Sequence, residues 1–155
     1  MKIKFPKQPP LSAAAQFVAL KNQAPFGIAT LLRQGVSWRG TICPSEFGRS
    51  YTVELFYLLG AAPKVWVREP NLRELAGGRR LPHVYEQLTQ RLCLYLPGCG
   101  YWRPAVAVAR TMIPWTSLWL YNFEIWIATD VWHTEGQHPD ARKRSVRSNS
   151  EVLLF

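Results

Sequence analysis

A chain of 155 residues, 48% hydrophobic and 19% charged, has the apolar content for one substantial core and excludes a disordered composition. Its formal net charge of +9 favours an acidic partner, whether protein, nucleic acid or membrane surface. No apolar run reaches the length that spans a bilayer, and the basic start "MKIKFPKQPP" lacks the apolar stretch of a signal peptide, so the expected location is cytoplasmic.

Residues 1–10 are expected to be extended. Leu11 to Asn22, "LSAAAQFVALKN", is Ala-rich and helical in composition, with Ser12 as N-cap and Leu11, Ala14, Ala15, Val18 and Asn22 as a partly apolar face. Three strands are expected next. "GVSWRGTIC" alternates, with Val36, Trp38, Gly40 and Ile42 on one side. "SYTVELFYLL" sets Tyr51, Val53, Leu55 and Tyr57 against Thr52 and Glu54. "KVWVREP" is short and β-branched. The turn signals "CPSEFG" and "GAAP" separate them, which predicts an antiparallel meander.

"NLRELAGGRRLPHVY" reads as a basic loop with one possible helical turn. The last element, "TMIPWTSLWLYNFEIWIATDVW", is a helix with Pro114 in its first turn and a stripe of Trp115, Leu118, Trp119, Asn122, Ile125 and Trp126 expected to be mostly core. Loop follows after Asp130. The organisation expected is α+β, with one domain over residues 1–140 and a basic tail over residues 141–155. In that tail "ARKRSVR" holds four basic residues. Arg79, Arg80, Arg142, Arg144 and Arg147 lie in loop or tail sequence, where they can reach a partner.

Three cysteines, Cys43, Cys93 and Cys99, cannot all pair within one chain, and their spacings match no zinc pattern, so they are expected as free thiols. Cys43 stands at a strand end and reads as inert, and Cys99 as incidental. Cys93, between Leu92 and Leu94, is either a small core hydrophobe or a nucleophile. His133 and His138 stand five apart with no further clear ligand, which is a weak metal signal. No metal and no cofactor are expected, and the chain holds no Walker-type phosphate loop.

His83 precedes Cys93 by ten residues, in the order helix, meander, irregular segment, helix. That layout resembles the ubiquitin-conjugating (UBC) fold, in which a His-Pro-Asn motif precedes the catalytic cysteine by the same offset. "LCLYLP", the helix "IPWTSLWLYNFEIWIATDVW" and "GQHP" more closely resemble the conjugating-enzyme-like proteins of bacterial antiphage CBASS operons, which also encode a cGAS-like nucleotidyltransferase. The resemblance covers roughly residues 35–140.

It implies that Cys93 is the catalytic thioester-forming residue and that His83 buttresses the loop before it. The sequence departs from the pattern at His83-Val84-Tyr85, where the Pro and the Asn are missing. That Asn is thought to orient or stabilise the oxyanion. Candidates for the vacant role are backbone N–H groups around Cys93, the Tyr85 hydroxyl and the His138 imidazole, although His138 before Pro139 reads first as a loop-fixing group.

The chemistry asks for an acyl group passed to a thiolate and then to an amine. An ordinary thiol is only about 3% ionised at pH 7, which can suffice when the donor is already activated. Three functions follow. The first is an acyl carrier whose cargo, by resemblance, is the C-terminus of the cGAS-like nucleotidyltransferase, with activation by a separate enzyme. The second is a non-catalytic adaptor that binds and regulates the same partner. The third, a nucleic-acid-binding domain, rests on charge alone, and no specific nucleic acid and no membrane are expected as partners.

Overall fold

The protein is described by a computed structural model that covers residues 7–95 and 102–133. The elements run α1 (Ala13–Gln23), β1 (Gly27–Leu32), β2 (Gly35–Ile42), β3 (Tyr51–Leu58), β4 (Lys64–Glu69), α2 (Leu72–Leu75), β5 (Val84–Glu86), β6 (Arg91–Leu92) and α3 (Val108–Thr129). The strands form one sheet in the order β1-β2-β3-β4-β6-β5, and each pair of neighbours is antiparallel. This is an α+β architecture. No helix among the described residues is long and apolar enough to cross a membrane.

The alternation of β2 and β3 explains the core. Val36, Trp38 and Ile42 from β2 and Tyr51, Val53, Leu55 and Tyr57 from β3 are buried, while their neighbours in sequence face the other way. Val65 and Val67 extend the buried face into β4. Trp38 also fixes the end of α1, because its indole N–H donates to the Ala24 carbonyl at 3.1 Å. Its ring lies over the facing pair Gly27 and Gly40, where an added Cβ would stand 2.3 Å and 2.6 Å from ring atoms. Glycine is required there by the close approach.

Several expectations change in the structure. Strand β1 precedes the predicted meander. Its burial is shallow along its whole length, as suits an edge strand, and that leaves "GIATLL" without a clear alternating signal. Ser12 does cap α1, accepting from Ala15 N at 3.1 Å, but the inward face is Gln16 and Leu20 rather than the stripe through Val18, which is 52% exposed. The loop of residues 71–85 holds the short turn α2, capped by the Asn71 side chain.

Helix α3 begins at Val108, so Pro114 lies inside it rather than in its first turn. Both Pro114 and Arg110 are exposed, so the Arg110 carbonyl that loses its helical donor faces water. The helix is also rotated from the expected stripe. Met112, Ile113, Thr116, Trp119, Leu120 and Phe123 are buried, whereas Leu118 is exposed and Trp115, Ile125 and Trp126 are half-buried flanks. Of the predicted stripe, Trp119 and Asn122 are buried.

The buried N-terminus of α3 has no capping side chain of its own, since Ala107 occupies the cap position. Gln16 of α1, fully buried, supplies the missing partner: its Oε1 accepts from Val108 N at 2.9 Å and its Nε2 donates to the Val106 carbonyl at 3.3 Å. Glu124 ties the same helix to the sheet by accepting from Arg49 N at 2.8 Å and from the Tyr51 hydroxyl at 2.9 Å. Gln16→Leu, which keeps the volume but strands the Val108 N–H, is expected to cost about 1–3 kcal/mol. Urea unfolding measures this, and an unchanged midpoint would remove Gln16 from its capping role.

Candidate active site

Strands β5 and β6 form a small hairpin that extends the sheet beyond β4 through the pair Trp66 and Arg91. Val84 and Leu92 face each other and are buried in the core. Alternation then places Tyr85 on the opposite face of β5, and Arg91 and Cys93 together on the opposite side of Leu92. The register adds a second device. Val84 pairs with Leu92 but Glu86 pairs with Arg91, so Tyr85 is the extra residue of a β-bulge. A bulge re-aims the side chain it carries. Here it brings the Tyr85 hydroxyl beside the Cys93 thiol and leaves the Tyr85 ring under the Arg91 guanidinium, 4.6 Å from ring centre to Cζ.

Cys93 is 7% exposed. Its amide N–H donates to the His83 carbonyl at 2.9 Å, and its thiol lies 3.6 Å from the Tyr95 carbonyl. Burial pushes the Cys93 thiol up from its ordinary value. The Tyr85 hydroxyl, a backbone hydrogen bond at Tyr95 and the Arg91 charge each pull it back in part. Tyr85 is itself pushed up, first by burial and then by its hydrogen bond to Cys93, so it stays a proton-bearing donor near neutral pH. A cavity of ≈ 130 Å³ opens beside Tyr85 and Arg91, lined also by Pro63, Leu94, Tyr95 and Met112; Cys93, between the lining residues Leu92 and Leu94, is not itself part of the wall.

His83 sits in the left-handed region at φ 50, immediately before the hairpin. Its carbonyl accepts twice, from the Cys93 amide and from the Trp119 indole N–H at 3.0 Å, while its ring lies 4.9 Å from the Trp132 ring. The residue therefore touches the cysteine through backbone.

Of the candidates for the vacant oxyanion role, the Cys93 amide is already spent on His83, and the Tyr85 hydroxyl is at hand. His138 and Cys99 lie outside the described residues. Cys43 is exposed just past β2, 3.2 Å from the Ser50 hydroxyl, far along the sheet from the hairpin. His133 is exposed, and among the described residues no group of three or more His, Cys, Asp or Glu could hold a metal ion.

Sequence reasoning missed Arg91. The signal was its place two residues before Cys93 in a short strand, which puts both side chains on one face. It also misassigned Arg79. Rather than reaching out, Arg79 pairs with Asp130, donates to the Ala76 and Ile127 carbonyls, and lies over the Trp126 ring at 4.4 Å. A guanidinium at the last carbonyls of α3 completes that helix end. Arg142, Arg144 and Arg147 lie outside the described residues.

With this geometry in place, comparison with known families is decisive for class. Residues 16–139 match the model of the family described as Type II CBASS E2 protein. The chain belongs to that family, and so to the E2-like components of the CBASS machinery. No curated protein matches it.

Two outcomes follow from the site's electrostatics and backbone. In a Cys43→Ser, Cys99→Ser background, the rate of Cys93 alkylation by iodoacetamide should rise with pH to a midpoint above the ordinary thiol value of about 8.5. Tyr85→Phe removes a donor that favours the thiolate, so the midpoint should move higher still. A midpoint that stays put or falls would mean that the hydroxyl does not serve the sulfur.

For His83, shape rather than imidazole chemistry is expected to matter. His83→Val forces a β-branched residue into the left-handed region and should cost about 1–2 kcal/mol, whereas His83→Asn should be better tolerated. Thermal unfolding ranks the two. The alkylation midpoint of Cys93 in His83→Asn should match that of the parent protein, and a displaced midpoint would assign the ring a direct part.

Proposed function

We propose that this protein is an acyl carrier with a ubiquitin-conjugating (UBC) fold, formed by residues 1–140 and followed by a basic tail over residues 141–155, that works in the cytoplasm. Cys93 takes a protein C-terminus as a thioester and passes it to an amine. The observation that carries the reading is the hairpin face itself. In a chain of the Type II CBASS E2 protein family, it sets a phenol held as a donor and a guanidinium on the wall of one small cavity, and Cys93 follows directly after Leu92 of that wall.

The mechanism needs no resident base. Cys93 attacks an already activated acyl group as its minor thiolate form, and the Tyr85 hydroxyl and Arg91 charge offset part of the cost of ionising a buried thiol. The His83 carbonyl, by holding the Cys93 amide, fixes where the sulfur stands. The cargo is the C-terminus of the cGAS-like nucleotidyltransferase of a CBASS operon, activated by a separate enzyme, and conjugation primes that partner for antiphage signalling. Charge steering by the basic surface raises the association rate and fades with salt.

A second reading, a non-catalytic adaptor that binds the same partner, is favoured by the burial of Cys93 and by Val84-Tyr85 standing where the ubiquitin-conjugating pattern has Pro and Asn. Non-reducing gels separate the two. Incubation with the partner and an activating system should give a reductant-sensitive adduct that is lost in Cys93→Ala, while Cys93→Ser should hold the acyl group as a more stable ester. An adduct of unchanged yield in Cys93→Ala would exclude the cysteine. Tight binding with no adduct in the parent protein would establish the adaptor.

A further inference from the structure

The face that carries Cys93 also carries a cation that pairs with no anion among the described residues. The ion pairs among the described residues use Arg39 and Arg68 with Glu54, and Arg79 with Asp130. Arg91 is in none of them. The carboxylate opposite it in register, Glu86, is turned to the Thr89 hydroxyl at 2.5 Å. The Arg91 Nε is buried and has no hydrogen-bond partner among the described residues, a condition that few buried polar groups tolerate. Stacking on Tyr85 fixes the position of the guanidinium, and the cavity it borders is otherwise walled mainly by hydrocarbon and phenol. A charged donor held in such a wall is arranged for an oxygen, negative or becoming so, that a ligand brings.

We infer that Arg91 is the oxyanion-stabilising residue of this site: its guanidinium receives the carbonyl oxygen of the acyl group carried on Cys93. The inference rests on the acyl-carrier reading above. In the transfer step the acceptor amine attacks the thioester carbon. A C–N bond forms, and the C=O π pair moves to oxygen, where Arg91 donates to it. The oxygen pair then re-forms the carbonyl, the C–S bond breaks with its electrons leaving on Cys93 as thiolate, and the proton of the amine passes to water. The same guanidinium thus faces the two negative groups the step creates in turn, the oxyanion and the thiolate. This supplies by charge what the Asn of the ubiquitin-conjugating pattern would supply by an amide, from the strand that leads into the cysteine rather than from the segment before it.

The test uses the full chain with Cys43→Ser and Cys99→Ser, and a short peptide bearing a C-terminal alkyl thioester as acyl donor. Protein acylated at Cys93 is isolated and discharged with a primary amine. Arg91→Gln and Arg91→Met are both made, so that loss of fold in one leaves the other. Each should discharge about 10²–10³-fold more slowly than the parent, the size of a lost oxyanion donor. Arg91→Lys should recover part of the rate. Alkylation measured well above the thiol midpoint should be unchanged, which a merely structural role would not predict. A folded Arg91→Gln or Arg91→Met that discharges at the parent rate would overturn the inference and leave the acyl-carrier reading standing. A parent protein that accepts no acyl group at Cys93 would bring down both.

Discussion

The carbonyl oxygen of His83 accepts one hydrogen bond from the backbone of Cys93 and another from the indole of Trp119, and through that atom the hairpin, the cysteine and the long helix are held in one arrangement. Each bond contributes a net stabilisation of only about 1 kcal/mol. Their effect on geometry is larger than that figure implies, because three elements share one acceptor. The left-handed backbone at His83 aims the carbonyl, and the contact of its ring with Trp132 adds packing behind it. Trp119 is itself stacked on Phe123, so the indole that reaches His83 is anchored in the core of α3. A shift of the helix would therefore be felt at the Cys93 amide.

Two glutamines play a comparable part elsewhere. Gln16 joins α1 to the start of α3. Gln90 accepts from Leu72 N at 2.6 Å and donates to the carbonyls of Val67 and Pro70 at 2.8 Å and 3.1 Å, so it joins β4, α2 and the hairpin. Both are buried, and both place donor and acceptor of one amide on backbone groups of other segments. The segment from Leu72 to the hairpin buries Leu72, Ala76 and Leu81 in the core but has little regular structure. Gln90 gives its backbone the partners that a longer sheet would otherwise supply.

The parts of the fold that were legible in the sequence are those where one face is buried and the other is wet. Val36, Trp38 and Ile42, and Tyr51 through Tyr57, alternate cleanly for that reason. Where burial is shallow, as along Gly27–Leu32, there is no contrast to read. In α3 the difficulty was the opposite: aromatic residues stand nearly all round, so the period was evident but its phase was not, and tertiary packing chose Met112, Thr116 and Phe123 over Leu118. At the site, the link between His83 and Cys93 was legible only through the ten-residue offset shared with the ubiquitin-conjugating pattern. The placement of the Tyr85 ring against Arg91 was not legible, because it depends on a bulge whose register only pairing reveals. The internal engagement of Arg79 was hidden likewise, since its partners Asp130 and Ile127 lie some fifty residues away in sequence.

The electrostatic balance at Cys93 bears on what kind of carrier the proposed reading requires. Burial disfavours the thiolate, and that effect is larger than the compensation from Tyr85, Tyr95 and Arg91. A thiol in this state is a slow nucleophile toward unactivated carbonyls and a poor target for stray electrophiles, because reactivity follows the ionised fraction. A thioester on the same sulfur carries no charge, so burial does not penalise it as it penalises the thiolate. The wall that suppresses the free thiol would thus tolerate the loaded form. Discharge would then depend on the polar groups at the cavity edge, where charge reappears as the tetrahedral oxygen and the departing thiolate. On the proposed reading, selectivity would lie in the activation of the donor and in the placement of Arg91 and Tyr85, not in an intrinsically reactive cysteine.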